Sequence, residues 1–390
     1  MPKNRPSKAK RDANKYGKLH KERERREQEA AEKVVNDKSL DFPAKIDRLA
    51  KARRWFTADT TIIDKYMSDE LSIAETVEIL AKPVDEAYSS ADFGRQWHRQ
   101  EMIARGQRKY HSPEKALEMW GPEQDWPEPE TEWDASKCTE MLLWDLWYSI
   151  LHTAKRIPYT DDSRHDKLVE LVRAFKVRPN PPLPVPMTTP LKREWIWESG
   201  KLWTDLTVLG ISVAEVSNDS PGCGAGWLWP ELRAWENVNA FMARLTARHI
   251  TALQNYGYWA LGDAIERSLT PGYRRTYPAS DNEILSHRVI TASLWVTIAG
   301  DQVFADYPKI RDKRDIEVVD RILDLRDDKL PWARSRKKYK GRARWETAQS
   351  EFTRRRFEVE SQNESLPLEA RGMASKAAKA MIPFVQFEEN

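Results

Sequence analysis

Cysteine is nearly missing from this chain of 390 residues: Cys138 and Cys223 are the only two, and they form no CxxC pair. That excludes a disulfide framework and a cysteine-built zinc site, and it points to a reducing, intracellular setting, nucleus or cytoplasm. Long apolar runs are missing too. None approaches the roughly 18–20 residues that span a bilayer, so no membrane partner is expected. The opening MPKNRPSKAKRDANKYGKLHKERERR holds no apolar stretch and is not read as a secretory signal, and Asp12, Glu22 and Glu24 argue against a mitochondrial presequence. Alternating apolar–polar runs bounded by turn pairs are lacking, as is any repeat of fixed length. The seven histidines are scattered, with no HExxH and no paired-ligand spacing, so no metal and no cofactor is expected.

What is present is charge, tryptophan and helical periodicity. Charged residues make up 32% of the chain, enough with 23 prolines to imply sizeable unpacked segments beside a real core. The net charge of +3 hides an asymmetry: residues 1–26 carry a net +8, and the rest of the chain −5. Residues 1–20 therefore read as a disordered basic tail. Residues 21–35, KERERREQEAAEKVV, are strong helix formers with opposite charges three and four apart and almost no apolar face. A helix of that kind is exposed to solvent or forms against a partner.

Farther on, the apolar period is clear. In SIAETVEILAKP, Ser72 and Glu75 form a capping box, Ile73, Val77 and Leu80 a stripe, and Pro83 is expected to stop the helix. Residues 138–157 put Met141, Leu143, Trp144, Leu146, Trp147, Ile150 and Leu151 round more than half of a helix, leaving a narrow polar stripe of Asp145, Ser149, His152 and Arg156. A helix starting at Asp161 or Asp162 should bury Leu168, Leu171, Val172 and Phe175. The stretch 234–266 reads as one long helix or two in tandem, with Val238, Met242, Leu245, His249 and Tyr256 on one side. Residues 283–305 repeat the period. Between these lie an acidic Trp/Pro linker at 120–136 and the extended RPNPPLPVPMTTP, an interhelix connector rather than an SH3-type ligand. The expected fold is all-α: a multi-helix globular domain with a Trp-rich core and a disordered basic N-terminal tail. Its expected parts are a tail with charged helix (1–38), an N-terminal helical part (39–119), the linker (120–136) and a main helical domain (137–385).

Four stretches resemble the fungal domain-of-unknown-function family numbered 3632. They are YMSDELSIAETVEILAKPV, LWDLWYSILHTAKRIP with DKLVELVRAF, LWTDLTVLG running into WENVNAFMARLTA, and YWALGDAIE, in order across roughly residues 57–380. Gly262 stands where that pattern leads one to expect an arginine. The resemblance implies a helical fold and a fungal source, and carries over no activity and no catalytic residues.

Several chemistries are weighed and set aside. Asp145, Ser149 and His152 share a stripe, but a nucleophilic serine needs a strained turn and an oxyanion hole, which a mid-helix serine lacks. DDSRHD (161–166) has His165 where a diphosphate-binding motif wants its third aspartate, and the helix dipole explains acids at that place. SPGCGAGW (220–227) lacks the Lys-Ser/Thr pair of a phosphate loop and reads as a flexible connector. The tryptophans are expected to pack, with Asn237, Asn239 and the carbonyls of the proline-rich loop receiving indole N–H groups. His249 is expected to be a hydrogen-bonded core residue.

Two basic runs concern partners. Lys10 and Arg11, a spacer, then Arg23, Arg25 and Arg26 fit the two-part pattern read by nuclear import receptors, and the same clusters suit non-specific nucleic-acid binding. RSRKKYKGRAR (334–344) is a second run, a loop or a dock for the acidic linker. The expected function is a non-catalytic module that binds an unknown protein partner and carries a basic, nuclear-targeting tail. The alternative is a small-molecule enzyme or carrier whose aromatic pocket is lined by Asp145, His152, Trp235, Asn237, His249, Trp259 and Asp263.

Overall fold

The computed structural model describes residues 8–90, 112–120, 137–182, 201–266, 279–305 and 342–385. Its helices are α1 (Lys8–Asn36), α2 (Phe42–Arg53), α3 (Thr61–Met67), α4 (Ile73–Ser89), α5 (Pro113–Trp120), α6 (Thr139–Arg156), α7 (Asp162–Val177), α8 (Leu209–Val216), α9 (Trp229–Ala247), α10 (Gln254–Leu261), α11 (Asp281–Val303), α12 (Arg342–Ser361), α13 (Leu368–Ala380) and α14 (Ile382–Val385). Among the described residues there is no sheet, only an isolated bridge between Pro221 and Ala225. The chain is all-α. The acidic linker at 121–136, most of the proline-rich connector and residues 334–341 of the second basic run lie outside the described residues.

The helices group into two compact units, neither of them contiguous in sequence. One comprises Met1–Trp55, Lys155–Asp161 and Asn218–Asn390; the other comprises Phe56–Ala154 and Asp162–Ser217.

In the second unit, α3, α4 and α7 pack together. Leu168, Leu171, Val172 and Phe175 of α7 are fully buried, as their spacing predicts. Phe175 stacks on Trp203 at 5.3 Å and meets Trp147 edge-on at 5.8 Å. Each indole has a partner: Trp147 Nε1 donates to the Thr207 carbonyl (2.7 Å) and Trp203 Nε1 to Asp85 Oδ1 (2.8 Å). The capping box of Ser72 and Glu75 starts α4. Pro83 does not stop it; the helix runs on to Ser89. Losing one backbone bond at Pro83 is outweighed because Val84 and Tyr88, beyond it, are buried, and Asp85 holds both Trp203 and Arg178.

In the first unit α11 is central, packed by α9, α10 and α13. It is buried on nearly every side from Ser286 to Val296, so a single apolar stripe is not its signature. Trp295 at its middle is fully buried, and its Nε1 donates to Asn239 Oδ1 at 2.9 Å. Stretch 234–266 is two helices in tandem. α9 closes in a left-handed turn: His249 has φ 53°, its N–H donates to the Thr246 carbonyl, and the N–H of Ile250 reaches back to Leu245. That turn buries Ile250 and exposes His249, so His249 is not a core residue.

α1 is one continuous helix. Its first turns fall in the stretch expected to be unstructured tail, and its side chains are described from Lys21 onward. Its end is anchored. Ala31 belongs to a buried cluster with Ile46, Leu49, Ala50, Trp55, Ala225 and Ala234, with Val34 and Val35 packed against it.

Candidate functional site

The residues flagged as pocket lining are shared between the two units. In the second unit, Asp145 is exposed, partial burial raising its carboxyl above the usual range, while His152 is buried four-fifths of a turn of sequence farther along α6 from Ser149. Ser149 Oγ donates to the Leu146 carbonyl of its own helix at 2.7 Å, the geometry of a structural serine rather than of an activated nucleophile. The narrow polar stripe is buried at Ser149 and His152. In the first unit, Trp259 is 60% exposed, with Tyr256 edge-on at 5.0 Å. Trp235 and Asp263 are half-buried, and His249 lies at the surface within 3.5 Å of Gln302. Asn237 is buried and engaged elsewhere.

What the first unit does bring together is a set of buried polar groups along α9. Asn237 clamps the turn that follows α6: its Nδ2 donates to the Lys155 carbonyl (2.9 Å) and its Oδ1 accepts the Tyr159 N–H (2.8 Å). Lys155 is itself fully buried. Its ammonium lies 2.6 Å from Asp219 Oδ2 and over the face of Trp55, 4.7 Å from the ring centroid. Burial pushes the lysine pKa down, against the opposing pull of the Asp219 charge and hydrogen bond. The cation–π contact and ion pair offset part of the desolvation.

Around this pair the other charges are also matched. Glu236 of α9 accepts Arg233 at 2.8 Å and meets His287 Nδ1 of α11 at 3.0 Å. Arg233 also pairs with Glu369 of α13, whose other oxygen accepts the Tyr159 hydroxyl at 2.5 Å. Burial works to raise the Glu369 carboxyl, but the hydrogen bonds from Arg233 and Tyr159 bring it below its usual value. Burial, then the hydrogen bond and charge of Glu369, hold the Tyr159 phenol above its own. A chain of polar contacts thus joins α13, the 155–161 turn, α9 and α11.

A second node fastens α1. Glu231 at the start of α9 takes Arg53 side-on (2.6 and 3.3 Å), and Arg53 Nη2 donates to Gln28 of α1 at 2.7 Å. The same carboxylate accepts the N–H groups of Gly226 and Leu228, each at 3.0 Å. The glycine-rich stretch 220–227 is thus an ordered turn, closed by Gly222 N–H to the Ala225 carbonyl, with Gly222 at φ 82°. A side chain at Gly226 would overlap Arg53 and Glu231. The glycines serve close packing, not a phosphate cradle. Lys45 then ties down the end of α1, donating to the carbonyls of Val35 (2.6 Å) and Asp37 (2.7 Å).

Of the basic residues flagged for targeting, Arg23, Arg25 and Arg26 lie on α1 in ion pairs with Glu27 (3.4 Å), Glu22 and Glu29 (2.8 and 2.5 Å), and Glu22 (2.9 Å). Lys10 and Arg11 fall where the helix backbone is described and the side chains are not.

Among the described residues no group of three or more His, Cys, Asp or Glu is placed to hold a metal, and no helix is long and apolar enough to cross a membrane. An open depression of about 550 Å³ is lined by Glu29, Glu32, Lys33, Asn36 and Asp37, with no aromatic side chain. Sequence reading missed Lys155, Asp219, Glu231 and Glu236. One signal was available for Lys155: it sits four and seven residues after Leu151 and Tyr148, a lysine on an apolar face.

The model of one family, described as Protein of unknown function (DUF3632), matches residues 147–359. That is more than half of the chain, and the chain belongs to this family. The match takes in the α7, α9 and YWALGDAIE stretches and leaves YMSDELSIAETVEILAKPV outside it. No curated protein and no solved structure matches the chain.

Proposed function

We propose that this member of the DUF3632 family, of fungal source, is a non-catalytic helical interaction module of the nucleus or cytoplasm whose basic N-terminal arm takes polyanionic partners. The observation that carries the reading is how the buried polar groups of the first unit are used. Lys155 with Asp219, Arg53 with Glu231, Arg233 with Glu236 and Glu369, and Asn237 with the 155–159 backbone each hold one element to another. An active site instead directs such groups at a space where a reacting atom can sit. Of the residues of the enzyme or carrier alternative, His249 and Trp259 lie at the surface and Asn237 is in a clamp.

The arm supports the second half of the reading. Residues 1–21 hold eight Lys/Arg and a single acid, a local field that attracts import-receptor acidic grooves or phosphate backbones. Localisation of a tagged chain tests it. Nuclear accumulation should fall when Lys10 and Arg11, or Arg23, Arg25 and Arg26, are changed to alanine. Removal of residues 1–20 should abolish it while leaving Gln28, Ala31 and the Lys45-capped end of α1 in place. A wild-type chain that stays in the cytoplasm, or a shortened chain that is still nuclear, would overturn the targeting role.

A further inference from the structure

We infer that the second unit carries a docking surface for an arginine of a partner protein, built on α6 from Trp144, Asp145 and Tyr148 with Phe56 beside them. This goes beyond the proposed function and does not rest on the N-terminal arm.

The register of α6 makes the surface. At about 100° per residue, Trp144, Tyr148, Met141 and Asp145 fall within an arc of roughly 100° on the helix. Met141, Trp144 and Tyr148 are only half-buried there, whereas Leu143, Leu146 and Trp147 on the other side are closed off. Phe56, also half-buried, lies against Tyr148 at 5.4 Å, and Tyr148 against Trp144 at 5.2 Å, with tilts of 38° and 33°. The three rings form a row. Trp144 is held in it by its Nε1, which donates to Glu140 Oε1 at 3.4 Å.

Asp145 is the charged member of this arc. Asp69, Glu78 and Asp85 of the same unit each hold a cation, Lys167 in the first case and Arg178 in the other two. Among the described residues no hydrogen bond or opposite charge acts on Asp145; burial of its inner side alone raises the carboxyl above its usual range, although the residue reaches solvent. Its neighbours one turn away are Met141, Leu142, Tyr148 and Ser149, none of them a cation. Ser149 Oγ donates to the Leu146 carbonyl instead.

Charge and shape together select the occupant. A carboxylate without a counter-charge, at the edge of an aromatic row, is complementary to a cation that also stacks. The planar guanidinium of arginine does both at once. It can lie over a ring face within about 6 Å of the centroid while giving two parallel N–H bonds to a carboxylate. The ammonium of lysine is a more strongly hydrated point charge and lacks that fork. A quaternary ammonium needs rings on several sides, and rings 5.2 and 5.4 Å apart leave no room between them.

The test is fluorescence anisotropy of the full chain with a labelled Arg-Gly-Gly repeat peptide. The same peptide with lysine, or with neutral citrulline, in place of arginine is run beside it. Wild type should bind the lysine peptide about fivefold more weakly than the arginine peptide, and the citrulline peptide about tenfold more weakly. Asp145→Asn should weaken arginine-peptide binding about tenfold, and Trp144→Leu about fivefold. Glu86→Gln, which removes an exposed acid from α4, should change it by less than about twofold. The melting temperature of Asp145→Asn should equal or exceed that of wild type, because no partner is lost and a partly desolvated charge is removed. Wild type that binds no more tightly than Asp145→Asn would overturn the inference. So would equal binding of the lysine peptide, a loss from Glu86→Gln as large as that from Asp145→Asn, or a lower melting temperature for Asp145→Asn. Self-association in sedimentation that Asp145→Asn abolishes would give the surface to a second copy and overturn the arginine assignment. Removal of residues 1–20 should leave arginine-peptide binding unchanged, so failure here and failure of the targeting role are read separately.

Discussion

Removing one member of the Lys155–Asp219 pair should cost far more than removing both. The two charges lie 2.6 Å apart with side chains 2% and 4% exposed. At an effective dielectric of about 20, such a separation corresponds to a gross attraction of about 6 kcal/mol. Desolvation of both groups cancels much of that in the intact pair. Asp219→Ala keeps the cost of burying the ammonium and removes what offset it, so the expected loss is about 3–5 kcal/mol. Lys155→Ala should cost a similar amount, because it removes the ammonium 2.6 Å from the buried carboxylate and empties the space over Trp55. The double variant Lys155→Met/Asp219→Leu refills the volume without charge and should fall within about 1 kcal/mol of wild type, or above it. Urea unfolding followed by circular dichroism gives the three values, with each transition checked for a single step because the chain forms two units. In Asp219→Ala only the downward push of burial acts on the lysine. The unfolded chain then binds the extra proton, so the deficit should shrink as pH rises toward the unfolded lysine value of about 10.4. Single variants that cost less than about 1 kcal/mol, or a double variant as damaged as the sum of the singles, would refute the reasoning.

The Tyr159–Glu369–Arg233 contacts make opposite predictions at the two ends of the pH scale. The folded Glu369 carboxyl lies below its ordinary 4.5, so its stabilisation is present above that pH and is lost on acidification through the lower folded value; Glu369→Gln should flatten this part of a stability-against-pH curve. The folded Tyr159 phenol lies above its ordinary 10.0, so its contribution is present below that pH and is lost as pH rises beyond it; Tyr159→Phe should flatten the alkaline side. Thermal melts should separate two glycines: Gly224→Ala meets the Asn218 backbone carbonyl and should cost about 1–3 kcal/mol, whereas Gly210→Ala, with open space in α8, should gain about 0.5–1 kcal/mol. A Gly224→Ala chain as stable as wild type would show that the 220–227 turn is not tightly packed. Pro83→Ala restores a backbone donor inside α4 and should raise the melting temperature, with a gain of up to about 3 kcal/mol; a lower melting temperature would mean that the proline shapes the helix.

The helices were legible where apolar residues recur at helical spacing and a cap marks the start, as with Ser72 and Glu75 before α4 and Leu168 to Phe175 in α7. Endings were harder to read. Periodicity carried on through His249 because no glycine marks the turn, yet the left-handed residue there is a histidine. Pro83 looked like a stop because a local rule cannot see Tyr88 and Asp85 held from beyond the helix. The buried polar groups were the least legible. Lys155 lies 64 residues from Asp219, and Arg53 178 residues from Glu231, so each charge reads as surface until its partner is in place. Asn239 was expected to receive an indole N–H and does; Asn237 clamps backbone instead.

The central claim is that the buried polar groups hold the fold while the arm meets partners, and the nuclear fraction of three tagged chains tests it most directly. The account predicts that Lys155→Met/Asp219→Leu accumulates in the nucleus like wild type, while the chain lacking residues 1–20 spreads through the cell with an unchanged melting temperature. A folded double variant that loses accumulation, or a shortened chain that keeps it, would contradict the account.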